Sequence, residues 1–306
     1  MRLIDLDAFD FATPRELTAL AAQVDHTCRE TGFLLVTGHG VPESVISEMR
    51  GVARAFFDQD PAMKQAVAPE PGAPYGYIGL GGEALAKSTG ERTPHDLKES
   101  FNGGPLTVPR SETDADALAF CYAPTPWPEL RGFRRAWEAY YTEMETLAAR
   151  IMSVMALALD KPADFFQPFI DQPISALRAL NYPERSGAVE PGQMGAGAHT
   201  DYGSLTILLP DRGSKGLEIE LVDGTWTEVA PRDGAFIVNI GDLMAHWTGR
   251  RWRSTRHRVR PSQRRRGSLA FFHQPNWHAE VRPLFGDGDA VISGPYLMSK
   301  FAAATA

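Results

Sequence analysis

The amino-acid sequence predicts a mixed α+β fold with a β core, in which helices mainly from the N-terminal half flank a double-stranded β-helix, or jelly roll. Three observations support this prediction. Apolar residues at helical spacing concentrate between residues 13 and 159, whereas short strand-like runs occupy residues 174–273. The chain of 306 residues also carries 23 prolines and 28 glycines, enough to separate many short strands by turns. Short strands with alternating polarity and frequent turns are typical of sandwiches and jelly rolls.

The N-terminal segment is predicted to begin with a short strand at residues 3–6, followed by a helix. Thr13 can serve as the N-cap of this helix, Pro14 suits its first position and Glu16 completes a capping box. The apolar residues 33–36 predict a second short strand directly after it.

Three further helices are predicted. One follows the turn at residues 38–42 and ends near Phe57. Another runs from about Trp127 to Leu159, because apolar residues recur there at three- and four-residue steps. A last helix is predicted over residues 295–303.

The second half of the chain contains the predicted β core. Pro183 to Gly197 is interpreted as a glycine-rich loop, and Asp223-Gly224 is a strong hairpin signal. Strands are predicted near residues 174–182, 203–209, 216–221, 225–229, 235–240, 254–260 and 268–273.

Residues 68–110 are rich in glycine and proline and carry no long periodic pattern. A long irregular segment in a compact domain is often a lid or a binding loop. We therefore expect residues 69–105 to close over a substrate pocket, with Tyr75, Tyr77 and Phe101 as candidate contacts. A surface loop with solvated charges is the alternative.

These elements divide the chain into four ranges that are expected to form one compact unit. Residues 1–110 are an N-terminal helical and loop region, 111–170 a long supporting helix, 171–275 the catalytic jelly-roll core and 276–306 a C-terminal segment with a helix.

Charge and composition exclude several classes of function. The net charge of −7 argues against a general binder of nucleic acids or membrane surfaces. No apolar run approaches the length of a transmembrane helix. The two cysteines, Cys28 and Cys121, lie far apart and are expected to be buried, reduced thiols, which suits a cytoplasmic protein. The expected partner is a small molecule, and the oligomeric state stays open.

A candidate metal site begins with the pair His199 and Asp201. In an extended segment, residues i and i+2 point to the same side, so one imidazole and one carboxylate can aim at one point. His257 lies well downstream in another strand-like run. Two histidines and one carboxylate are the ligand set of non-haem Fe(II) oxygenases, which leaves coordination positions open for substrates.

A candidate anion site follows the second histidine. Arg266 and Ser268 alternate with Gly267 on a predicted strand and therefore share one of its faces. A guanidinium and a hydroxyl on one face form a cationic, hydrogen-bonding group that fits a carboxylate.

The sequence resembles the isopenicillin-N-synthase-like branch of the Fe(II)/2-oxoglutarate-dependent dioxygenases over nearly its whole length. The resemblance rests on residues 32–36 and 38–42, Asn181-Tyr182-Pro183, residues 198–201, residues 239–242, residues 254–259 and residues 266–272.

This resemblance implies that His199, Asp201 and His257 bind iron, and that Arg266 and Ser268 bind the distal carboxylate of 2-oxoglutarate. It also makes two residues of one strand face candidates for contact with this co-substrate. Relatives place a carboxylate-binding aromatic at the position of Tyr182, and a bacterial ethylene-forming relative has an arginine near the co-substrate at the position of Arg178. A core aromatic and an outer-face ion pair are the respective alternatives.

The implied activity is oxidation of a small molecule by O2, through hydroxylation or desaturation, with 2-oxoglutarate converted to succinate and CO2. Three alternatives stay open at this point. The first is a non-haem iron oxidase of the same fold that does not use 2-oxoglutarate, since such enzymes also carry Arg-x-Ser. The second is an ethylene-forming type of enzyme, and the third is a non-catalytic binding module.

Other histidines and a run of arginines are further candidates for a functional role. His246 and His273 are expected beside or behind the site, whereas His278 cannot begin a triad of the same order because no histidine follows it. The nine arginines between residues 250 and 266 suggest either a nucleic-acid patch or exposed faces that pair with acids, and the acidic chain favours the second.

Overall fold

The computed structural model describes residues 1–90, 93–185 and 187–305, which form two packed β-sheets with helices against the outer face of the larger one. The helices are α1 Leu6–Phe11, α2 Pro14–Glu30, α3 Glu43–Phe57, α4 Pro61–Gln65, α5 Ala115–Ala119, α6 Phe133–Ala158, α7 Asp242–Trp247 and α8 Ser293–Thr305, with short 3₁₀ helices at Leu85–Thr89 and Gln167–Phe169.

Fourteen strands are present in the described part of the chain. They are β1 Arg2–Asp5, β2 Phe33–Thr37, β3 Gly76–Ile78, β4 Glu99–Gly103, β5 Ala176–Tyr182, β6 Ala196–His199, β7 Leu205–Pro210, β8 Leu217–Glu220, β9 Trp226–Glu228, β10 Phe236–Ile240, β11 His257–Val259, β12 Arg266–His273, β13 Glu280–Val281 and β14 Val291–Ile292.

The two main sheets have the topology of a double-stranded β-helix with added edge strands. The large sheet has the order β1-β2-β10-β7-β12-β5-β4-β3, and the small sheet has the order β6-β11-β8-β9. The mixed α+β prediction with a jelly-roll core is therefore confirmed. Because β1 to β4 extend both edges of the large sheet, ranges 1–110 and 171–275 share one hydrogen-bonded structure.

Helix α6 forms the centre of the helical layer and packs between α2, α3 and the large sheet. Its buried stripe includes Trp137, Tyr141 and Met144, each at most 1% exposed. Tyr141 packs edge-on against Phe271 of β12, at 5.1 Å between ring centroids. The predicted apolar stripe is therefore a packing surface, which supports the outer face of the large sheet.

The first predicted helix is confirmed, including its cap. In α2 the Thr13 backbone N–H donates to Glu16 Oε2 at 2.9 Å, and the Glu16 N–H donates to Thr13 Oγ1 at 3.4 Å. The predicted start of α6 near Trp127 was wrong by six residues, because α6 begins at Phe133. Residues 127–132 instead form turns that end at Gly132. The φ of this residue is +82°, which is incompatible with a continuing α-helix.

The Asp223-Gly224 hairpin is confirmed as the connection between β8 and β9. The Leu221 N–H donates to the Thr225 carbonyl at 2.8 Å, and Gly224 has a φ of +81°. The loop predicted for residues 183–197 was too long, since β6 already begins at Ala196.

Residues 68–110 are more ordered than the sequence predicts, and Tyr77 and Phe101 are not lid residues. Both lie on the last two strands of the large sheet, Tyr77 on the edge strand β3 and Phe101 on β4, with their side chains in the helical core. Phe101 is fully buried against Phe56, Phe133 and Trp137, with each ring centroid 5.2 Å away. No local signal indicated this burial, because glycines and prolines around two short strands hide their alternation. Residues 91 and 92 of this segment lie outside the described residues.

Several arginines of the run pair with acids of the neighbouring strands, as the acidic composition predicts. Arg258 Nε lies 2.8 Å from Glu218, and Arg260 bridges Glu218 at 3.1 Å and Glu228 at 2.9 Å. Arg256 Nη1 lies 3.0 Å from Glu220. Within the described residues, no helix combines the length and the apolar character needed to cross a bilayer.

We predict that Phe101→Ala destabilises the fold and does not act on catalysis directly. Removing a fully buried phenylalanine side chain costs about 3–5 kcal/mol, because apolar contacts are lost and a cavity remains. Urea unfolding should show a loss of this size. The matched control is Phe11→Ala, since Phe11 is 86% exposed and its loss should change stability by less than about 0.5 kcal/mol. Equal stability of the two variants would contradict the assignment of Phe101 to the core.

Candidate metal centre

Three predicted ligands converge where the small sheet meets the large one. His199 ends β6 and is the direct cross-strand partner of His257, which begins β11. Asp201 lies two residues beyond β6, in the loop that leads to β7. One ligand atom from each residue lies within 4.8 Å of the others, and each histidine Nε2 is 3.8 Å from Asp201 Oδ1. The strand pairing brings the distant histidine to the His-x-Asp pair.

Both imidazole rings are oriented by backbone carbonyls. His199 Nδ1 lies 2.7 Å from the Gly197 carbonyl oxygen, and His257 Nδ1 lies 3.1 Å from the Thr255 carbonyl oxygen. A neutral ring that donates from Nδ1 keeps the lone pair of Nε2 free for a metal. Both free nitrogens therefore face the point at which Asp201 Oδ1 also lies.

The Asp201 carboxylate is fixed by two donors from the large sheet. Thr206 Oγ1 and Asn239 Nδ2 donate to Asp201 Oδ2 at 2.6 and 2.7 Å. Burial raises the pKa of this carboxyl, but the adjacent His257 and His199 and the two donors outweigh burial and lower the pKa below its usual value. The ionised carboxylate thus keeps Oδ1 available as a ligand atom.

His199 is held in its neutral form. Burial lowers the pKa of His199 to about 3, and the neighbouring His257 acts in the same direction. The two rings lie 4.3 Å apart between centroids. A neutral imidazole is the form that binds metal ions, so the site is ready to bind a cation around neutral pH.

A cavity of about 430 Å³ opens from these three residues between the sheets. Tyr182, Arg266 and Ser268 line it on the inner face of the large sheet, where Arg266 is the cross-strand partner of Tyr182. The Arg266 guanidinium lies 4.1 Å from the centroid of the Tyr182 ring. These positions agree with the predicted inward direction of Arg266 and Ser268 on β12. They also agree with the prediction that Tyr182 of β5 lies nearby.

Arg266 has unused hydrogen-bonding capacity. Its Nε and Nη2 atoms are buried and have no hydrogen-bond partner within the described residues. Burial lowers the pKa of the guanidinium, although Tyr182 and Asp211 act in the opposite direction. A buried cation with unpaired N–H groups is the complement of an anionic ligand, such as a carboxylate.

Arg178 also faces the cavity, on the same face of β5 as Tyr182. Its Nη1 lies 3.2 Å from Glu83, a residue of the segment between β3 and β4. The pair is therefore an ion pair inside the cavity, whereas the alternative expected from the sequence was an ion pair on the outer face. Lys98 continues this group, with Nζ 2.7 Å from Glu83 and 3.0 Å from Asp96.

Sequence reasoning did not single out several residues that shape the site. Asn239 and Thr206 fix Asp201, and Glu83 and Lys98 add charges to the cavity wall. Asn239 could have been noticed, because it lies in one of the segments that carry the family resemblance. Glu83 lies on an irregular segment and Lys98 directly precedes β4, so no sequence pattern predicts that either residue lines the cavity.

Comparisons with known proteins agree with this geometry. Residues 174–275 match the 2OG-Fe(II) oxygenase superfamily, and residues 1–130 match the N-terminal region described as non-haem dioxygenase in morphine synthesis. The 2-oxoglutarate-dependent dioxygenase tropC of Talaromyces stipitatus is 30% identical over 98% of this chain and 94% of its own length. The chain belongs to the 2OG-Fe(II) oxygenase superfamily.

Two further relatives of this oxygenase extend the comparison. The validamycin A dioxygenase of Streptomyces hygroscopicus subsp. limoneus is 33% identical over 92% of this chain and 79% of its own length. A full-length Neurospora crassa protein, solved in complex with alpha-KG (2-oxoglutarate) and thymine, has a TM-score of 0.86 at 26% identity, covering 99% of this chain and 96% of the other. The protein is thus a non-haem iron oxidoreductase that uses Fe(II), 2-oxoglutarate and O2.

The other histidines of the oxygenase lie away from the ligand group. His246 Nε2 contacts the Asp289 carbonyl oxygen at 3.0 Å, outside the cavity. His273 is 1% exposed, and its Nδ1 lies 3.2 Å from Ser175 Oγ. Its backbone carbonyl accepts a hydrogen bond from Ser204 Oγ at 2.8 Å, behind the metal loop. Burial lowers the pKa of His273 to about 4.

This pKa makes a prediction about acid stability. His273 is neutral in the fold but has an ordinary pKa near 6.5 when unfolded, so the unfolded chain binds one more proton between pH 6.5 and about 4. The contribution is fully present above pH 6.5 and is lost as pH falls, by about 1.4 kcal/mol per pH unit. In urea unfolding of the metal-free oxygenase, His273→Gln should flatten the dependence of unfolding free energy on pH by that amount.

The matched control for this experiment is His26→Gln. The side chain of His26 is 51% exposed on α2, so its replacement removes a histidine without changing a buried position. If His273→Gln and the parent protein have the same slope from pH 6.5 to 4.5, His273 is not held neutral by burial.

Proposed function

We propose that the protein oxidises a small-molecule substrate by hydroxylation or desaturation, with His199, Asp201 and His257 as Fe(II) ligands and with Arg266 and Ser268 as the site for the distal carboxylate of 2-oxoglutarate. One observation carries this proposal. Two free Nε2 atoms and one free carboxylate oxygen converge at one end of a cavity whose wall also presents a buried arginine with unpaired donors.

The residues of the chain have separable tasks in this proposal. Bound Fe(II) supplies the centre at which O2 is activated as 2-oxoglutarate is converted to succinate and CO2. The two ligand histidines are oriented by their Nδ1 contacts, and Asp201 balances part of the metal charge. Arg266 pairs with the distal carboxylate of the co-substrate, which fixes the direction in which the 2-oxo acid group points.

Tyr182 supports the same end of the cavity. Its ring lies against the Arg266 guanidinium, so it limits the positions that the guanidinium can take. Ser268 shares the face of β12 with Arg266 and offers a hydroxyl to the same carboxylate. Arg178, the other cation of this strand face, is not needed to hold this carboxylate.

The alternatives left open by the sequence are less well supported. A 2-oxoglutarate-independent oxidase is less well supported, because the relative that matches 98% of this chain is named a 2-oxoglutarate-dependent dioxygenase. A non-catalytic binding module does not need an oriented ligand set. In this protein, hydrogen bonds to the opposite atoms of His199, Asp201 and His257 leave one ligand atom of each residue free. An ethylene-forming enzyme would use the same ligands, and the identity of the released product distinguishes it.

The kind of partner and the compartment are also part of the proposal. The names of relatives refer to small molecules such as validamycin A, homoarginine and thymine, which supports a small-molecule substrate here. Cys28 and Cys121 are free and buried, which supports a reducing compartment such as the cytoplasm.

We predict that the protein binds one Fe(II) per chain and that His257→Ala abolishes both this binding and turnover. Loss of one of three protein ligands leaves too few donors to hold the metal against water. The measurements are metal content after anaerobic loading with Fe(II) and succinate formation. His278→Ala is the matched control, because this exposed histidine contacts Glu112 and lies outside the site. Retention of iron by the His257 variant would remove His257 from the ligand set.

We predict that Arg266→Ala weakens 2-oxoglutarate binding at least a hundredfold. Removing one member of a buried charge pair typically costs about 3–5 kcal/mol, and each 1.4 kcal/mol corresponds to roughly a factor of ten. Isothermal titration of the anaerobic Fe(II) protein with 2-oxoglutarate measures this change. Arg264→Ala is the control, because Arg264 is exposed just before β12. A loss of less than threefold in the Arg266 variant would mean that another cation holds the carboxylate.

A further inference from the structure

The second arginine of the cavity lies far from the first along the same wall. Arg178 precedes Tyr182 by four residues on β5, which corresponds to roughly 13 Å at the usual rise of a strand. Its cross-strand partners are Ala270 of β12 and Asn102 of β4, whereas Arg266 is the partner of Tyr182. This spacing separates Arg178 from the carboxylate that Arg266 is proposed to hold.

A chain of buried charges fixes Arg178 in place. Glu83 lies 3.2 Å from Arg178 Nη1 and 2.7 Å from Lys98 Nζ, and Lys98 also lies 3.0 Å from Asp96. The guanidinium carbon of Arg178 is 5.8 Å from the centroid of the Phe272 ring. Two cations and two anions alternate, so the group is neutral as a whole and each carboxylate already has a cationic partner.

Arg178 nevertheless keeps donors that face the cavity. Its side chain is 18% exposed and lines the cavity wall. Glu83 is its hydrogen-bond partner in the described part of the chain, through Nη1 alone. A guanidinium has five N–H groups in a planar fork, so most of them are available to a ligand inside the cavity.

Most of the cavity wall is apolar, and Asn102, His95 and Gln274 add polar groups to it. Phe120 and Phe301 meet edge-on at 5.2 Å between ring centroids. Ile174, Leu297 and Phe272 line the same cavity. A ligand group bound to Arg178 would therefore belong to a molecule whose remaining surface is mainly hydrocarbon.

We propose that Arg178 anchors the carboxylate of the primary substrate, and that this substrate is a small carboxylic acid with an apolar body. The proposal rests on the proposed function and names the substrate class for the same site. A planar fork with free donors matches a carboxylate in a bidentate manner. A cationic substrate fits less well, because Glu83 and Asp96 are already paired with Arg178 and Lys98 and offer no free carboxylate to a cation.

The test compares acids with their uncharged amides on the anaerobic protein loaded with Fe(II) and 2-oxoglutarate. The probes are phenylacetate, 3-phenylpropionate, 4-phenylbutyrate and octanoate, each with its primary amide, and binding is measured by isothermal titration. We expect at least one acid to bind ten or more times more tightly than its amide. In Arg178→Gln the affinity for that acid should fall at least tenfold while the amide stays within threefold, so that the preference disappears.

Three further variants make the result specific. Arg178→Lys keeps the charge and the contact with Glu83 and should retain part of the preference. The double variant Glu83→Gln/Arg178→Gln removes both charges, so it leaves no unpaired carboxylate that could disturb folding, and it should lose the preference as well. Arg212→Gln, at a 67% exposed side chain outside the cavity, should behave as the parent protein.

Several outcomes would overturn the proposal. These are equal binding of acid and amide in all four pairs, failure of all four acids to bind, and an acid preference that survives in Arg178→Gln. A tenfold or larger loss of 2-oxoglutarate affinity in Arg178→Gln, with iron binding intact, would assign Arg178 to the co-substrate instead. The proposed function fails separately, namely if the parent protein itself does not bind Fe(II) or 2-oxoglutarate.

Discussion

The site depends on the way in which one carboxylate joins the two sheets. Asp201 Oδ2 accepts hydrogen bonds from Thr206 and Asn239, which belong to β7 and β10 of the large sheet. Its other oxygen faces His199 and His257, which are paired across β6 and β11 of the small sheet. A buried carboxylate is costly unless its hydrogen bonds are satisfied, so these donors both permit the charge and fix its direction. The cavity opens from this junction because the sheets meet here.

A second polar network holds the co-substrate end of the cavity from behind. Glu99 accepts hydrogen bonds from Lys64 at 2.8 Å and from Asn181 at 2.7 Å, and Asn181 in turn accepts one from Arg265 at 2.9 Å. Because neighbouring residues of a strand face opposite sides, the outward contacts of Asn181 and Arg265 direct Tyr182 and Arg266 into the cavity. Strand β4 thus contributes to the site through Glu99, whose carboxylate lies behind the cavity wall.

The success of sequence reasoning differed between kinds of element. Helix α2 was predicted closely, because its cap and its apolar periodicity are local properties. The start of α6 was missed, since Trp127 and Leu130 continue the apolar pattern although the backbone there turns. Tyr77 and Phe101 were assigned to a lid because short edge strands inside a glycine-rich segment are defined by their partners. The pairing of β3 with β4 and of β4 with β5 decides their burial, and no pattern within one segment predicts this pairing.

The sequence by itself determined the jelly-roll class, the three candidate metal ligands and the inward face shared by Arg266 and Ser268. These follow from residue types and alternation along several segments, together with the family resemblance that those segments carry. Only the tertiary structure decided which oxygen of Asp201 stays free, because Asn239 comes from a separate part of the chain, and only the pairing of β6 with β11 brought the two histidine rings together. The tertiary structure alone brought Glu83 and Lys98 to Arg178, since ion pairs between distant segments depend on the packing of strands and not on sequence spacing.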